Sequence, residues 1–334
     1  MKHIASERQL GKGCIKQPED ERDFIFEKTL GAGVVMTDKE WSDGYDIEKV
    51  LGIKLPVKNQ QLSYSCVGQA FSTYTFVLNY LENKDLDQHS AKAIYSQITL
   101  GHGRGAYLRD GAKLIVDWGE VKESIVKSYK ADGNTDETFM VNKLWINEEV
   151  NKLAKTFQSK EYRLITGMEI DHFARAIKDG YGMVAGVTGI NNGTWTLTYP
   201  KPPKLTDAQG QMWGHAIYFG KFRIKDGKKE VGILNSWGNI GENGWQWLGE
   251  DWFADKGRWI FNPWVLIDIT NNDMVFKKIK GEPSIYLVDD VKGTKTMIID
   301  MRTLDSLGGK YEEVDNLAGY IPVGTLIYVE RIID

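Results

Sequence analysis

Val57-Lys58-Asn59-Gln60-Gln61-Leu62-Ser63-Tyr64-Ser65-Cys66-Val67-Gly68-Gln69-Ala70-Phe71-Ser72 has a polar, turn-prone half, residues 59–65, followed by small and apolar residues that run on to Leu81 without a proline. This change of character predicts a helix that starts at or just before Cys66, with Ser65 or Ser63 available as its cap. Unpaired backbone N–H groups and the positive end of the helix dipole then surround the sulfur, which favours thiolate over thiol. Taken alone, such a cysteine is more often a small buried hydrophobe than a nucleophile. Its meaning depends on what the rest of the chain brings to it.

A chain of 334 residues is long enough for two domains, or for one large domain with an appendage. The net charge of −4 is spread along the sequence without a basic stripe, which argues against nucleic acid as a partner. No apolar stretch approaches the ~20 residues of a membrane span, and the start, Met1-Lys2-His3-Ile4-Ala5-Ser6-Glu7-Arg8, lacks the apolar centre of a signal peptide. The expectation is a protein that is cytoplasmic or virion-associated, with no membrane partner. The only cysteines, Cys14 and Cys66, allow one disulfide at most. Cys66 is expected to be free and Cys14 an ordinary thiol; a pairing between them rests on residue type alone. No ligand cluster indicates a metal, and no cofactor is implied.

Residues 1–37 read as an N-terminal arm laid over the main body and anchored by Phe24 and Phe26, or as a pro-segment that occupies the site. After the first helix, a second is expected over Ser90–Leu100 with Ser90 as its cap, then Leu108–Trp118, Thr138–Ser159 and Asp171–Asp179. Between them, Gly101-His102-Gly103-Arg104-Gly105-Ala106 lacks the Lys-Ser/Thr ending and preceding strand of a phosphate loop, and reads as a close-packed backbone wall. The second half changes period: strands are expected at 183–188, 195–199, 215–222 and 230–234, with a hairpin turn at Lys225-Asp226-Gly227-Lys228. From 272 to 334 a small β-rich module follows, with strands at 284–288, 296–300 and 325–330. It contains neither cysteine nor histidine, and reads as a structural or partner-binding appendage.

A nucleophilic thiol needs a base, and the base needs a third group to hold its ring. Among five histidines, His215 stands out because it follows Gly214 and opens a predicted strand. The hairpin partner strand ends at Asn235-Ser236-Trp237-Gly238, so antiparallel pairing brings Asn235 beside His215. An asparagine there accepts the imidazole N–H, and Trp237 shields that bond from water.

Gln60 with Ser65-Cys66 and Ala70-Phe71-Ser72, then Gly214-His215-Ala216, then Asn235-Ser236-Trp237-Gly238 with Gly241-Glu242-Asn243-Gly244, together resemble the papain-like cysteine peptidases of the C1 family. The nucleophile and base lie 149 residues apart, near the ~130–150 expected in that family. The resemblance covers about Trp41–Asp268. It implies an α+β, two-lobed fold: a helical N-terminal lobe, an antiparallel β-barrel-like C-terminal lobe and an active-site cleft between, here over 38–271. It further implies Cys66 as nucleophile, His215 as general base and acid, Asn235 as the group orienting it, and Gln60 as oxyanion donor with the Cys66 N–H. Trp237 becomes the cover of the His–Asn pair, and Gly103, Arg104, Gly105 and Gly214 become substrate-binding backbone.

Departures from the family pattern are local. Ser63 stands where a disulfide cysteine is usual, Tyr64 replaces a glycine, Val67 replaces the tryptophan after the nucleophile, and Asn239-Ile240 fills a shortened loop. They point toward bacterial or phage members and put leaving-group-side specificity in doubt. The function implied is a thiol-dependent endopeptidase acting on a peptide or protein substrate through an acyl-enzyme. The alternatives are a cysteine amidase or transferase on a non-protein amide such as a cell-wall peptide, or a low-activity binding or structural (virion) protein, with the C-terminal module as a possible docking point for a protein partner.

Overall fold

Helix formation begins where the chain turns from polar to small and apolar: α3, Cys66–Asn83, is buried over Cys66–Asn79 and forms the spine of the helical half. The computed structural model describes residues 12–28, 36–267, 274–280, 285–289, 294–298, 312–316 and 321–326. Around α3 lie α2 (Ile47–Leu51), α4 (Ala91–Ile98) and α5 (Leu108–Asp117), while α1 (Asp38–Asp43) buries Trp41 in the core of the sheet half. The short α6 (Glu137–Val141) and α7 (Glu148–Ala154) follow, and α8 (Ile170–Asp179) leads into the sheet half. Ser90 caps α4 as expected, accepting from the Ala93 N–H at 3.0 Å. Ser65 occupies the N-cap of α3 without capping it: its Oγ lies 2.7 Å from that of Ser63.

Two short strands, β1 (Cys14–Ile15) and β3 (Ala106–Tyr107), pair in parallel. The main sheet takes β4 (Glu161–Leu164), β5 (Met183–Gly189), β6 (Trp213–Lys225), β7 (Lys228–Leu234), β8 (Trp245–Gly249) and β9 (Ile260–Ile267) in the order β4-β9-β5-β6-β7-β8, with β2 (Tyr45–Asp46) added beside β6. All its pairings are antiparallel. The hairpin joining β6 and β7 turns at Asp226 and Gly227, φ 51° and 74°, the left-handed pair that a tight two-residue hairpin requires. Along β6 the two-residue period splits the core: Ala216 and Tyr218 join the cluster around α3, and Ile217 and Phe219 join the cluster under α8. Tyr74 of α3 meets Tyr218 at 5.6 Å between ring centroids; Phe173 of α8 meets Phe219 at 5.8 Å.

Several expectations are corrected. The sheet is open and does not close into a barrel among the described residues. Thr138–Ser159 is not one helix: Asn142 leaves it in an extended conformation, φ −71° ψ 125°, and Asn147 starts a new one by accepting from the Val150 N–H at 2.9 Å. Leu144, counted toward the apolar periodicity, is 92% exposed in that gap. Trp195–Tyr199 is a turn segment, whose Trp195 and Leu197 carbonyls accept from the Gln246 side chain of the sheet. Of the two phenylalanines expected to anchor the arm, only Phe26 buries its ring; the ring of Phe24 is exposed.

The chain divides into two compact units, Met1–Asp268 and Ile269–Asp334. In the second, β10 (Met274–Ile279), β11 (Ile285–Asp289), β12 (Thr294–Ile298), β13 (Glu312–Val314) and β14 (Ile321–Leu326) form a sheet in the order β13-β10-β11-β12-β14. Its last strand ends at Leu326 within the described residues, and the expected 327–330 portion lies outside them.

Candidate active site

His215 sits near the start of β6, buried against β5 through its pairing with Val187. Its Nε2 lies 2.9 Å from Asn235 Oδ1, just beyond the end of β7. The Trp237 indole stacks on the imidazole, 4.2 Å between centroids and 20° between planes. Trp213 and Trp195 extend this aromatic wall, at 5.7 Å from Trp237 in each case. Burial pulls the imidazole down to about 3, the hydrogen bond to Asn235 Oδ1 opposes that, and the charge of Lys12 adds to it. The ring is therefore neutral here, and its Nδ1 is buried without a hydrogen-bond partner.

Cys66 opens α3 as the sequence predicts, and because Ser65 does not cap the helix the first-turn amides remain free for the sulfur. Burial nevertheless pushes the thiol up to about 12, outweighing the backbone N–H groups of Ala216, Gly13, Val67 and Cys66 that favour its charged form. Burial thus opposes the thiolate that the helix N-terminus favours. Two of those amides explain the local geometry: Ala216 follows His215 directly, and Gly13 belongs to the N-terminal segment.

Gln60 joins the cluster from the loop before α3. Its Oε1 accepts from Ser236 Oγ at 2.7 Å, which turns Nε2 the other way. One Nε2 hydrogen goes to the Ser63 carbonyl at 2.8 Å, leaving one for another acceptor. The Gln60 N–H also donates to the Ser236 carbonyl at 2.8 Å, so the loop is tied to the segment that carries Asn235 and Trp237.

The glycine loop packs as a wall. Gly105, at φ 69°, lies so close to the Gly13 carbonyl that a Cβ would collide with it, and a Cβ on Gly214 would strike the Cys14 carbonyl. What the wall faces is the arm itself. Gly13 donates to the Gly214 carbonyl at 3.2 Å and accepts from Ala106 at 2.9 Å. Gly103 turns its N–H to Glu137 Oε1 at 2.9 Å. Arg104 is exposed on the outside of the loop, its N–H donating to Gly101 at 3.0 Å. Both cysteines are free and buried in the same core cluster.

Sequence reasoning overlooked three residues. Glu137 accepts from the Tyr64 N–H at 2.7 Å, from Tyr95 Oη at 2.8 Å and from Gly103, which joins the two loops that flank Cys66. Ser236 orients Gln60. Gln246 is buried beside Asn235, with its Oε1 2.8 Å from Asn235 Nδ2. A glutamine between Trp245 and Trp247 in a strand was a visible signal, since a polar residue at an inward position needs a partner. Of the other histidines, His102 meets Thr138 Oγ1 at 3.1 Å on the surface and His89 is buried next to Phe157.

No family model matches the chain, and no curated protein matches it. Solved structures do. Xylellain, a cysteine protease from Xylella fastidiosa, aligns at TM-score 0.63 and 20% identity over 78% of this chain and 97% of that one. The procathepsin B S9 of Trypanosoma congolense aligns at 0.57 and 11% over 79% and 87%. The bromelain protease from Ananas comosus, in complex with the E64 inhibitor, aligns at 0.51 and 16% over 67% and 98%. The chain has the papain-like fold.

Proposed function

We propose that the chain is a thiol-dependent endopeptidase whose Cys66, His215 and Asn235 hydrolyse a peptide bond through an acyl-enzyme. The observation that carries this reading is the Asn235–His215 pair, buried under the stacked Trp237, with the uncapped N-terminus of α3 presenting Cys66 beside the backbone of the same strand.

In this reading His215 Nδ1 takes the Cys66 proton and the thiolate attacks the scissile carbonyl carbon. The oxygen that becomes negative is held by the Cys66 N–H and by the remaining Nε2 hydrogen of Gln60. As the tetrahedral species collapses, the imidazolium returns its proton to the departing amine. Water then attacks the thioester by the same route, with His215 again as base, and releases the acid and the free thiol.

The arm supports a second element of the reading. Gly13 occupies backbone positions that an extended substrate would use, on Gly214 and Ala106, and its N–H is among the backbone groups that reach the buried Cys66 sulfur. The N-terminal segment is then an inhibitory cover in the manner of a pro-segment. The Ile269–Asp334 unit is assigned no chemical step, consistent with its lack of cysteine and histidine.

Profiling a peptide library with the wild type and Cys66→Ala in parallel tests the reading. Cleavage by the first and none by the second is expected; identical products from both would remove the thiol from the chemistry, and cleavage restricted to non-peptide amides would move the chain to the amidase alternative.

A further inference from the structure

Gln246 buries a side-chain amide inside the sheet, between two tryptophans, where an unpaired polar group costs several kcal/mol. Its hydrogen bonds leave no freedom. Nε2 donates to the Trp195 carbonyl at 2.8 Å and to the Leu197 carbonyl at 2.6 Å, so both of its hydrogens are committed. The reversed amide would set Oε1 against two carbonyl oxygens. Oε1 must therefore face Asn235, 2.8 Å from Nδ2, and it can only accept. That forces Asn235 to present its NH2 to Gln246 and its Oδ1 to His215, at 2.9 Å from Nε2. An oxygen acceptor at that distance requires the proton of the neutral ring to sit on Nε2, which leaves the lone pair on Nδ1.

We infer that Gln246 is a positioning residue that sets the tautomer of His215 through Asn235. This rests on the peptidase reading, because Nδ1 is the nitrogen assigned there to receive the Cys66 proton. The carbonyls of the 195–197 turn act as the fixed reference, and the turn is itself held by the Trp247 N–H on the Thr198 carbonyl at 2.8 Å. An apolar side chain at 246 frees the Asn235 amide to rotate by half a turn. Nδ2 then faces Nε2, and the ring proton moves to Nδ1, where it blocks the base. In a serine protease, replacing the group that fixes the tautomer costs ~10⁴ in turnover. Here the asparagine stays and only its orientation is released, so the effect is smaller.

The first measurement needs no variant. In the full chain at pH 7–8, the ¹⁵N resonances of the His215 ring should have the pattern of a neutral imidazole protonated on Nε2. A ring protonated on Nδ1 overturns the inference, and this readout does not depend on turnover. The second measurement uses Gln246→Met, of similar length and without hydrogen bonds. Its ring should show a mixture of both tautomers, and kcat should fall about tenfold with KM unchanged. In an Asn235→Ala background the same substitution should cost no further activity. Equal losses in both backgrounds, or a wild-type ring and wild-type kcat in Gln246→Met, overturn the inference. Absence of thiol-dependent turnover even in the chain lacking Met1–Lys16, with the Nε2 proton in place, would defeat the peptidase reading and leave the tautomer assignment standing.

Discussion

The Gly13 N–H donates to the Gly214 carbonyl at 3.2 Å, which lays the N-terminal strand one residue from His215 and against the Cys66 sulfur. The contact joins two states of the site in one geometry. Burial holds the Cys66 thiol up at about 12 and the His215 imidazole down at about 3, and both shifts favour the neutral forms.

Deleting Met1–Lys16 removes Gly13, Cys14 and Lys12 but keeps Gln17, whose Oε1 accepts from the Arg109 N–H at 2.8 Å, and Asp23, which pairs with the Arg109 guanidinium. The remaining arm should stay docked. At pH 7 the thiolate fraction falls tenfold for each unit by which the thiol lies higher, so a fall from about 12 to an ordinary ~8.5 raises it by roughly 3 × 10³. The rate of alkylation of Cys66 by iodoacetamide should rise by that order, and peptide turnover with it. Equal rates in the two chains would exclude the arm as a cover.

Removing one oxyanion donor typically costs ~10²–10³ in kcat. Gln60→Ala should lose that much with little change in KM, because the hydrogen bond forms only as the oxygen becomes charged. Gln60→Glu keeps the size and loses the donor, and should be no better. A change confined to KM would place Gln60 in substrate binding instead.

The polar-to-apolar switch at Cys66, the hairpin at residues 225–228 and the order of the Cys, His and Asn motifs were legible because each depends on local chemistry or on spacing along the chain. The orientation of Gln60 was not, since it rests on Ser236, 176 residues away. Glu137 was hidden for the same reason: its partners Tyr64, Tyr95 and Gly103 come together only after α3, α4 and the glycine loop have packed. The expected long helix over residues 138–159 failed where its apolar spacing was real but Asn142 and Asn147 offered capping chemistry that ended one helix and began another. The effect of the helix N-terminus on Cys66 was read correctly in sign, yet burial of the sulfur outweighs it, and no local pattern reveals which segments will pack around it.

Glu137 accepts three hydrogen bonds in a largely buried position. Glu137→Ala strands the Tyr64 and Gly103 amides and the Tyr95 hydroxyl, and should lower stability by roughly 2–4 kcal/mol, as read by urea unfolding. Because it loosens the wall beside the cleft, KM for an extended peptide should rise more than kcat falls. An unchanged KM would mean that the wall holds its shape without the carboxylate.

His89 has both ring nitrogens buried without a hydrogen-bond partner, and burial, then the charge of Lys58, lowers it to about 3. The unfolded ring titrates near ~6.5. The unfolded chain thus binds the extra proton between those values: the stability His89 contributes is present above pH ~6.5 and is lost as the pH falls toward 3. The slope due to one such proton approaches about 1.4 kcal/mol per pH unit. His215 adds acid sensitivity of the same sign. Unfolding free energies for wild type and His89→Leu, measured from pH 7 to 4, should converge at the acid end or cross, with the variant losing less. Parallel curves would show that His89 does not titrate in this way.

The central claim is that Cys66 is a nucleophile activated by His215. The most direct measurement treats the chain lacking Met1–Lys16 with a peptidyl epoxide or vinyl sulfone at neutral pH under reducing conditions and locates the adduct by mass spectrometry. The account predicts one adduct, on Cys66, formed quickly in that chain, far more slowly in its His215→Ala form, and not at all in its Cys66→Ala form. An unmodified Cys66, or equal labelling with and without His215, would contradict it.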